Sequence, residues 1–160
     1  MLGLKHYFLD TPLGLEARYI HICASDTGIR GVHFSDKKTH QEALTPLISS
    51  CIQALEGYFD GLVFSFDLPL EIQGTPFQER VWSILPQIPY GKTWSYKDLA
   101  LQVGSIRYSR AVGGANHRNP IAIIIPCHRV IGSDGRLVGY AEGVGIKKWL
   151  LEHEQSFLPH

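Results

Sequence analysis

The chain has 160 residues, 15 Lys/Arg against 15 Asp/Glu, and 44% hydrophobic residues; this fits one ordinary domain or two small ones and excludes a low-complexity or disordered chain. No apolar run approaches the roughly 18–20 residues of a membrane span, and the N-terminus MLGLKHYFLD lacks the charged-then-apolar order of a secretory signal, so a cytoplasmic protein with no membrane partner is expected. Three scattered cysteines, Cys23, Cys51 and Cys127, exclude a disulfide framework.

Residues 5–10, 15–25 and 31–35 are rich in Tyr, Ile and Phe and are separated by turn signals at Thr11-Pro12-Leu13-Gly14 and Ser25-Asp26-Thr27-Gly28. They predict an antiparallel meander of three strands. Residues 41–59 place Ala43, Leu44, Leu47, Ile48, Cys51, Ile52, Leu55 and Phe59 at the spacing of an amphipathic helix. Phe64-Ser65-Phe66 alternates and reads as one more short strand, and residues 68–74 as a linker. Two domains follow, residues 1–73 and 74–160.

The second half opens with Thr75 as helix cap and Pro76 at the first helical position, where no N–H is needed. That helix runs to about Leu85, where Pro86 closes it. Pro89-Tyr90-Gly91 is a turn. Ser95 caps a second helix over residues 96–103, Gly104 ends it, and Ser109 starts a third over residues 110–116. Two short helices joined by a Gly-containing turn predict a helix-turn-helix. A buried strand over residues 121–125, a corner at Pro126-Cys127, a turn at residues 132–135 and a last helix over residues 144–155, with Trp149, Leu150 and Leu151 inward, complete the chain. The fold class is α+β.

Charge separates the halves. Residues 1–74 hold 5 Lys/Arg and 9 Asp/Glu, a net −4; residues 75–160 hold 10 and 6, a net +4. From Lys92 to Arg118 there are five basic side chains and one acidic, which suits an anionic partner. The third helix, Ser109-Arg110-Ala111-Val112-Gly113-Gly114-Ala115-Asn116, carries adjacent glycines that cost about 1 kcal/mol each relative to alanine. Two readings offset that cost: close packing against the preceding helix, or a slim Ala/Gly face that enters a groove too narrow for ordinary helices, about 6 Å in the minor groove of DNA. In the second, Arg110 is the one long side chain at the entrance.

Cys127 follows an apolar run and Pro126 and precedes two basic residues, His128 and Arg129. A thiol is nucleophilic as thiolate, which neighbouring positive charge or a base promotes. His128 reaches the sulfur only if the chain turns after Pro126, and a Cys–His pair needs a third group to orient the imidazole; Glu154 on the last helix fits that position. Cys23 and Cys51 read as core residues. His6, His21, His33 and His40 have no ligand spacing with Cys23, so no metal and no cofactor is expected.

Pro126-Cys127-His128-Arg129-Val130 resembles the active-site motif of the O6-alkylguanine-DNA alkyltransferases. The resemblance extends through Pro76-Phe77-Gln78-Glu79-Arg80-Val81-Trp82, Ile88-Pro89-Tyr90-Gly91, Ser95-Tyr96-x-x-Leu99-Ala100, residues 110–116, Asn119-Pro120 and Gly139-Tyr140. It covers residues 74–154 almost continuously, while the N-terminal half is similar only in its strand-and-helix pattern, that of the family's ribonuclease-H-like cap domain. The second half would then be a DNA-binding and active-site domain with a winged-helix-like helix-turn-helix.

The resemblance implies the following roles. Cys127 is the alkyl acceptor, His128 a base acting through a water, and Glu154 its support. Asn119 is the hinge between recognition helix and active-site strand. Tyr96 presses on the target phosphate and is a candidate proton donor to the departing base, and Arg110 fills the gap left in the base stack. Tyr140 walls the guanine pocket with Pro126, and backbone at Cys127, Val130 and Ala141 reads the base. Gln78, Lys97, Ser105 and Ser133 touch the DNA backbone, with Ala111 and Gly113 on the helix face beside it. The partner is double-stranded DNA carrying O6-alkylguanine, taken by a monomer, with O4-alkylthymine left open. Two departures stand out: Ile106 replaces a common turn proline, and Ala141-Glu142-Gly143 puts a charged residue at the pocket rim. Two other readings remain open on the residues, a Cys–His–Glu hydrolase and a DNA-binding regulator or damage sensor without transfer.

Overall fold

The structure, a computed structural model, describes residues 3–159. The chain divides into two compact units after Ile72.

The first unit is built on strands β1 (Lys5–Asp10), β2 (Tyr19–Ala24) and β3 (Ile29–Ser35), antiparallel in the order β1-β2-β3. The Ile22↔Val32 and Ile20↔Phe34 pairs fix the register, so that Ile20, Ile22, Ala24 and Val32, all fully buried, share one face by the period-2 rule. Helix α1 (Pro46–Phe59) contributes Ile48, Cys51, Leu55 and Tyr58 to the core at three- and four-residue spacing. Each such fully buried aliphatic side chain is stabilising by about 1.5–3 kcal/mol.

Three boundaries and one expected strand differ from the sequence expectation. Strand β2 begins at Tyr19 rather than Leu15, because residues 12–18 form an irregular turn in which the Thr11 hydroxyl bonds the Ala17 carbonyl. Strand β3 begins at Ile29, two residues early. Helix α1 begins at Pro46, not Gln41: Thr45 accepts the Ile48 N–H at 3.1 Å and Pro46 takes the first helical position, leaving Leu44 exposed rather than on the apolar stripe. Residues 64–66 form no strand; instead Leu70, in the expected linker, bridges Ile29, with Ile29 N–H to Pro69 O and Glu71 N–H to Ile29 O both 2.8 Å.

The second unit opens with α2 (Pro76–Ile84), closed at its start by a reciprocal capping box between Thr75 and Gln78. Strand β4 (Trp94–Ser95) leads into α3 (Tyr96–Val103), whose Ser95–Asp98 capping box follows the same logic. After Gly104 and a 3₁₀ turn comes α4 (Ser109–His117). Ser109 is the first helical residue rather than a cap, its hydroxyl donating to Ile106 O at 2.7 Å. A second 3₁₀ turn, Cys127–Arg129, runs into β5 (Val130–Ile131), which pairs parallel with β4. The chain ends with α5 (Val144–Ser156), whose inward face is Ile146, Lys147, Leu150, His153 and Glu154. Trp149 and Leu151 are only half-buried, and Trp149 stacks on His153.

Residues 121–125 form no strand, despite four isoleucines. They make a buried turn, with Ile125 N–H to Ile121 O at 3.1 Å and Ile124 N–H to Ala122 O at 2.8 Å, and Ile123 has φ 70°. A β-branched residue in that region costs about 1–3 kcal/mol. The turn persists because all five side chains are buried and because Asn119 supplies the backbone partners that a neighbouring strand would have given. Among the described residues no helix is long and apolar enough to cross a membrane.

Candidate functional site

The turn at 121–125 and the 3₁₀ turn after it place Cys127. Asn119 Nδ2 lies 2.8 Å from Ile125 O, 3.3 Å from Ile121 O and 3.0 Å from Cys127 Sγ, while its Oδ1 accepts the Ile121 N–H at 3.0 Å. One buried amide therefore supports the turn and donates to the sulfur. Asn116, on α4, donates to Cys127 O at 3.2 Å, tying the same residue to that helix.

The 3₁₀ turn carries His128 and Arg129 away from the solvent and onto α5. His128 Nε2 meets Glu154 Oε2 at 2.6 Å. Arg129 bonds the same carboxylate through Nε (2.9 Å) and Nη2 (3.1 Å), and donates through Nη1 to Ile88 O at 2.8 Å. Gly91 N–H adds a further donor to Glu154 Oε1 at 3.0 Å. Gly91 has φ 77°, and a Cβ there would lie 2.3 Å from Leu158 Cδ2, so this donor needs glycine for both conformation and space.

Because the Glu154 carboxylate only accepts, His128 Nε2 carries the proton and Nδ1 is the basic atom. Nδ1 is buried with no hydrogen-bond partner. Burial lowers the His128 pKa from its ordinary value despite the carboxylate, so the imidazole is neutral and able to take a proton. Burial alone would raise the Glu154 carboxyl, but its hydrogen bonds from His128 and Arg129 hold it well below the ordinary carboxylate range.

The thiol itself is protonated at rest. Burial pushes Cys127 up to about 11, against the opposing pull of the Asn119 hydrogen bond and the Lys147 charge. The expectation that Arg129 promotes the thiolate is therefore corrected: its guanidinium is spent on Glu154 and Ile88 O, and the positive charge acting on the sulfur is Lys147. Lys147 Nζ donates to Val130 O at 2.5 Å and Val138 O at 3.0 Å, and burial brings its pKa down to about 8.

A cavity of about 400 Å³ is walled by Tyr96, Ser109, Arg110, Gly113, His117, Val138 and Gly139. Tyr96 OH donates to Val138 O at 3.0 Å, and a Cβ on Gly139 (φ 73°) would come within 3.0 Å of that hydroxyl. His117 Nδ1 and Gly139 O are 3.2 Å apart. Burial and the nearby Cys127 raise the Tyr96 phenol. Of the residues expected to form a guanine pocket, Pro126, Val130 and Tyr140 are buried and Ala141 is exposed, and none is on this cavity's wall. The Tyr140 hydroxyl is buried without a partner. Glu142 acts through space on both Cys127 and Tyr140.

The glycines of α4 are not explained by packing. A Cβ on Gly114 meets nothing within 4 Å, and one on Gly113 would meet the Tyr96 ring at 3.8 Å, an ordinary contact. Arg110, Ala111, Lys97 and Ser133 are exposed. Gln78 Oε1 is occupied by the Thr75 N–H at 3.0 Å, and Ser105 Oγ by the Arg107 N–H at 3.2 Å.

Sequence reasoning missed Lys147, Asn116 and the structural use of Arg129. Lys147 and Glu154 stand seven residues apart, on the face that also carries Leu150; two charged residues in line with an apolar stripe were the available signal. Asn116 gave none beyond its position in the helix.

Both units of the chain are similar to known proteins. Residues 76–156 match the family model described as "6-O-methylguanine DNA methyltransferase, DNA binding domain", and residues 4–72 match its ribonuclease-like domain. A methylated-DNA–protein-cysteine methyltransferase of Methanosarcina barkeri is 45% identical over 156 residues, covering 94% of this chain and 96% of its own. One of Mycobacterium tuberculosis is 47% identical over 126 residues, 79% of this chain and 76% of its own. The crystal structure of Mycobacterium tuberculosis OGT in complex with DNA superposes with a TM-score of 0.85 at 39% identity, covering 97% of this chain and 95% of that one. With both of its units matched in order and relatives this similar along nearly the whole length, the chain belongs to the 6-O-methylguanine DNA methyltransferase family.

Proposed function

We propose that this protein repairs DNA by moving the alkyl group of O6-alkylguanine onto Cys127, once per molecule. The observation that carries the reading is the joint arrangement at the sulfur: a donor amide 3.0 Å away on Asn119 and, on the next residue, a neutral imidazole whose basic Nδ1 has no protein partner. A protein chain that needed this cysteine only for packing would have no use for either.

O6 lies at the major-groove edge of a base pair, so a protein approaching from the minor groove needs the nucleotide extruded, at a cost of a few kcal/mol. The slim face of α4, with Ala111 and Gly113, is the element that approaches; Tyr96 pushes the phosphate and Arg110 plugs the stack. Lys97, Ser105, Ser133 and the amide of Gln78 hold the backbone. The Cys127 proton passes to His128 Nδ1 through one bridging water, with Glu154 and Arg129 fixing the ring. Asn119 and Lys147 then stabilise the thiolate. Sulfur attacks the alkyl carbon, the carbon–O6 bond breaks, its electron pair stays on guanine, and the base takes up a proton, in this reading from the Tyr96 phenol once its hydrogen bond to Val138 O is given up. A thioether remains, and no group among the described residues is placed to cleave it.

On this reading residues 1–73 are the cap, residues 74–160 carry DNA binding and transfer, and the protein works as a monomer in the cytoplasm. Pro126, Val130, Tyr140 and Ala141 form the guanine pocket once Tyr96 releases Val138 O. The test is intact-mass analysis after incubation with a duplex containing O6-methylguanine. Wild type gains one CH₂ and Cys127→Ala gains nothing; unchanged wild-type mass with tight binding to the damaged duplex would instead favour a damage sensor.

A further inference from the structure

The first unit contains a second side-chain cluster that alkyl transfer does not use. His6 on β1, His21 on β2 and His40 in the segment after β3 bring one ring nitrogen each to within 4.8 Å of the others. From the antiparallel register, His6 lies opposite Cys23 and His21 opposite Phe8, which puts His6 and His21 on the same sheet face. That face is opposite to the one carrying Ile20, Ile22 and Val32. The histidines are therefore not core residues. His6 Nδ1 and His21 Nε2 are 2.8 Å apart, His6 and His40 stack with centroids 3.9 Å apart, and Phe8 stacks on His21 at 4.4 Å, fixing the middle ring. A cavity of about 370 Å³ opens beside His6 and His40, with Glu42 on its wall.

We propose that His6, His21 and His40 form a binding site for a divalent first-row transition ion of the zinc class, with the remaining position open to water. Three imidazoles from three different segments are the donor set such ions prefer over calcium or magnesium. With bonds of about 2.0–2.1 Å, the nitrogens of a tetrahedral site stand about 3.3 Å apart. The 2.8 Å His6–His21 contact is thus half an ångström short of it and the 4.8 Å limit of the cluster lies outside it, so modest ring rotations suffice. His40 makes the largest of these, turning its edge out of the 13° stack on His6, and it is exposed on an irregular segment. Of the charged neighbours, Glu42 is tied to Phe8 N–H and Lys38, and His33 is the direct cross-strand partner of His21 on the same sheet face. Binding ties residues 36–45 to the sheet and leaves the chemistry of Cys127 untouched.

The test is zinc titration of the untagged, metal-free full chain against a chromogenic chelator, repeated on His6→Ala and His40→Ala. Wild type is expected to take up one ion per chain at micromolar affinity or tighter, each variant to lose at least roughly tenfold, and His40→Ala to keep wild-type alkyl transfer. Because His40 is exposed, that variant tests the site even if His6→Ala folds poorly. No uptake by wild type, equal uptake by His40→Ala, or a cobalt-loaded spectrum with thiolate charge-transfer bands would overturn the assignment.

Discussion

Asn119 Nδ2 sits 3.0 Å from Cys127 Sγ and 2.8 Å from Ile125 O, so the group that donates to the sulfur is also the one that holds the strained turn in front of it. Asn119→Ala removes both. Two buried carbonyls lose a donor, a destabilisation of about 1–3 kcal/mol, and the thiolate loses a hydrogen bond worth about 1.5–3 kcal/mol, equivalent to roughly 10–100-fold in rate. Single-turnover transfer and thermal unfolding on the same variant read the two effects; a destabilised variant that transfers at the wild-type rate would separate Asn119 from the chemistry.

The amine of Lys147 is expected to matter through charge as well as structure. Lys147→Met leaves Val130 O and Val138 O without their donor and takes away the cation that opposes the burial shift of Cys127. The thiol pKa rises further. Transfer at neutral pH slows, and the pH–rate profile moves to higher pH, whereas loss of packing alone would lower the rate without moving the profile.

Acid stability follows from the buried pair. The folded-state pKa of His128 lies below the ordinary 6.5, so between the two values the unfolded chain binds more protons and stability rises with pH. Its contribution is full above about 6.5 and is lost as pH falls toward the folded value. Glu154, depressed from the ordinary 4.5, adds a second loss below that pH. Urea midpoints from pH 8 to 4 are expected to fall in that order. His6 and His21 are lowered in the same way, so His128→Gln makes the first decline shallower without abolishing it. A wild-type midpoint constant from pH 7 to 4 would contradict this assignment.

Gly114→Ala separates folding from DNA binding. With nothing within 4 Å of the added methyl, the helix gains about 1 kcal/mol and the melting temperature rises. If α4 lies against DNA, the same methyl weakens binding by roughly tenfold, or about 1.4 kcal/mol, readable by fluorescence anisotropy on a duplex. A more stable variant with unchanged affinity would remove α4 from the interface.

Much of this was legible in the sequence where local chemistry and tertiary context agree. Thr75-Pro76 and Ser95 start helices as their capping chemistry predicts, since caps act within one turn, and Glu154 holds His128 from the last helix. Residues 121–125 show the limit. Their β-branched run favours a strand, but burial on all sides and the Asn119 amide select a turn that no local preference encodes. The same holds for Arg129, whose adjacency to Cys127 suggested activation, while the 3₁₀ turn aims it at α5. His6, His21 and His40 lack recognisable ligand spacing because strand register, not sequence distance, brings them together.

The central claim is that the sulfur of Cys127 is consumed. Its most direct measurement is a titration with limiting protein and excess O6-methylguanine duplex, counting repaired guanines per chain over time. The account predicts a plateau at one, with the methyl group recovered on the peptide containing Cys127. Repair that continues past one guanine per chain, or a methyl found on Cys23 or Cys51, would contradict it.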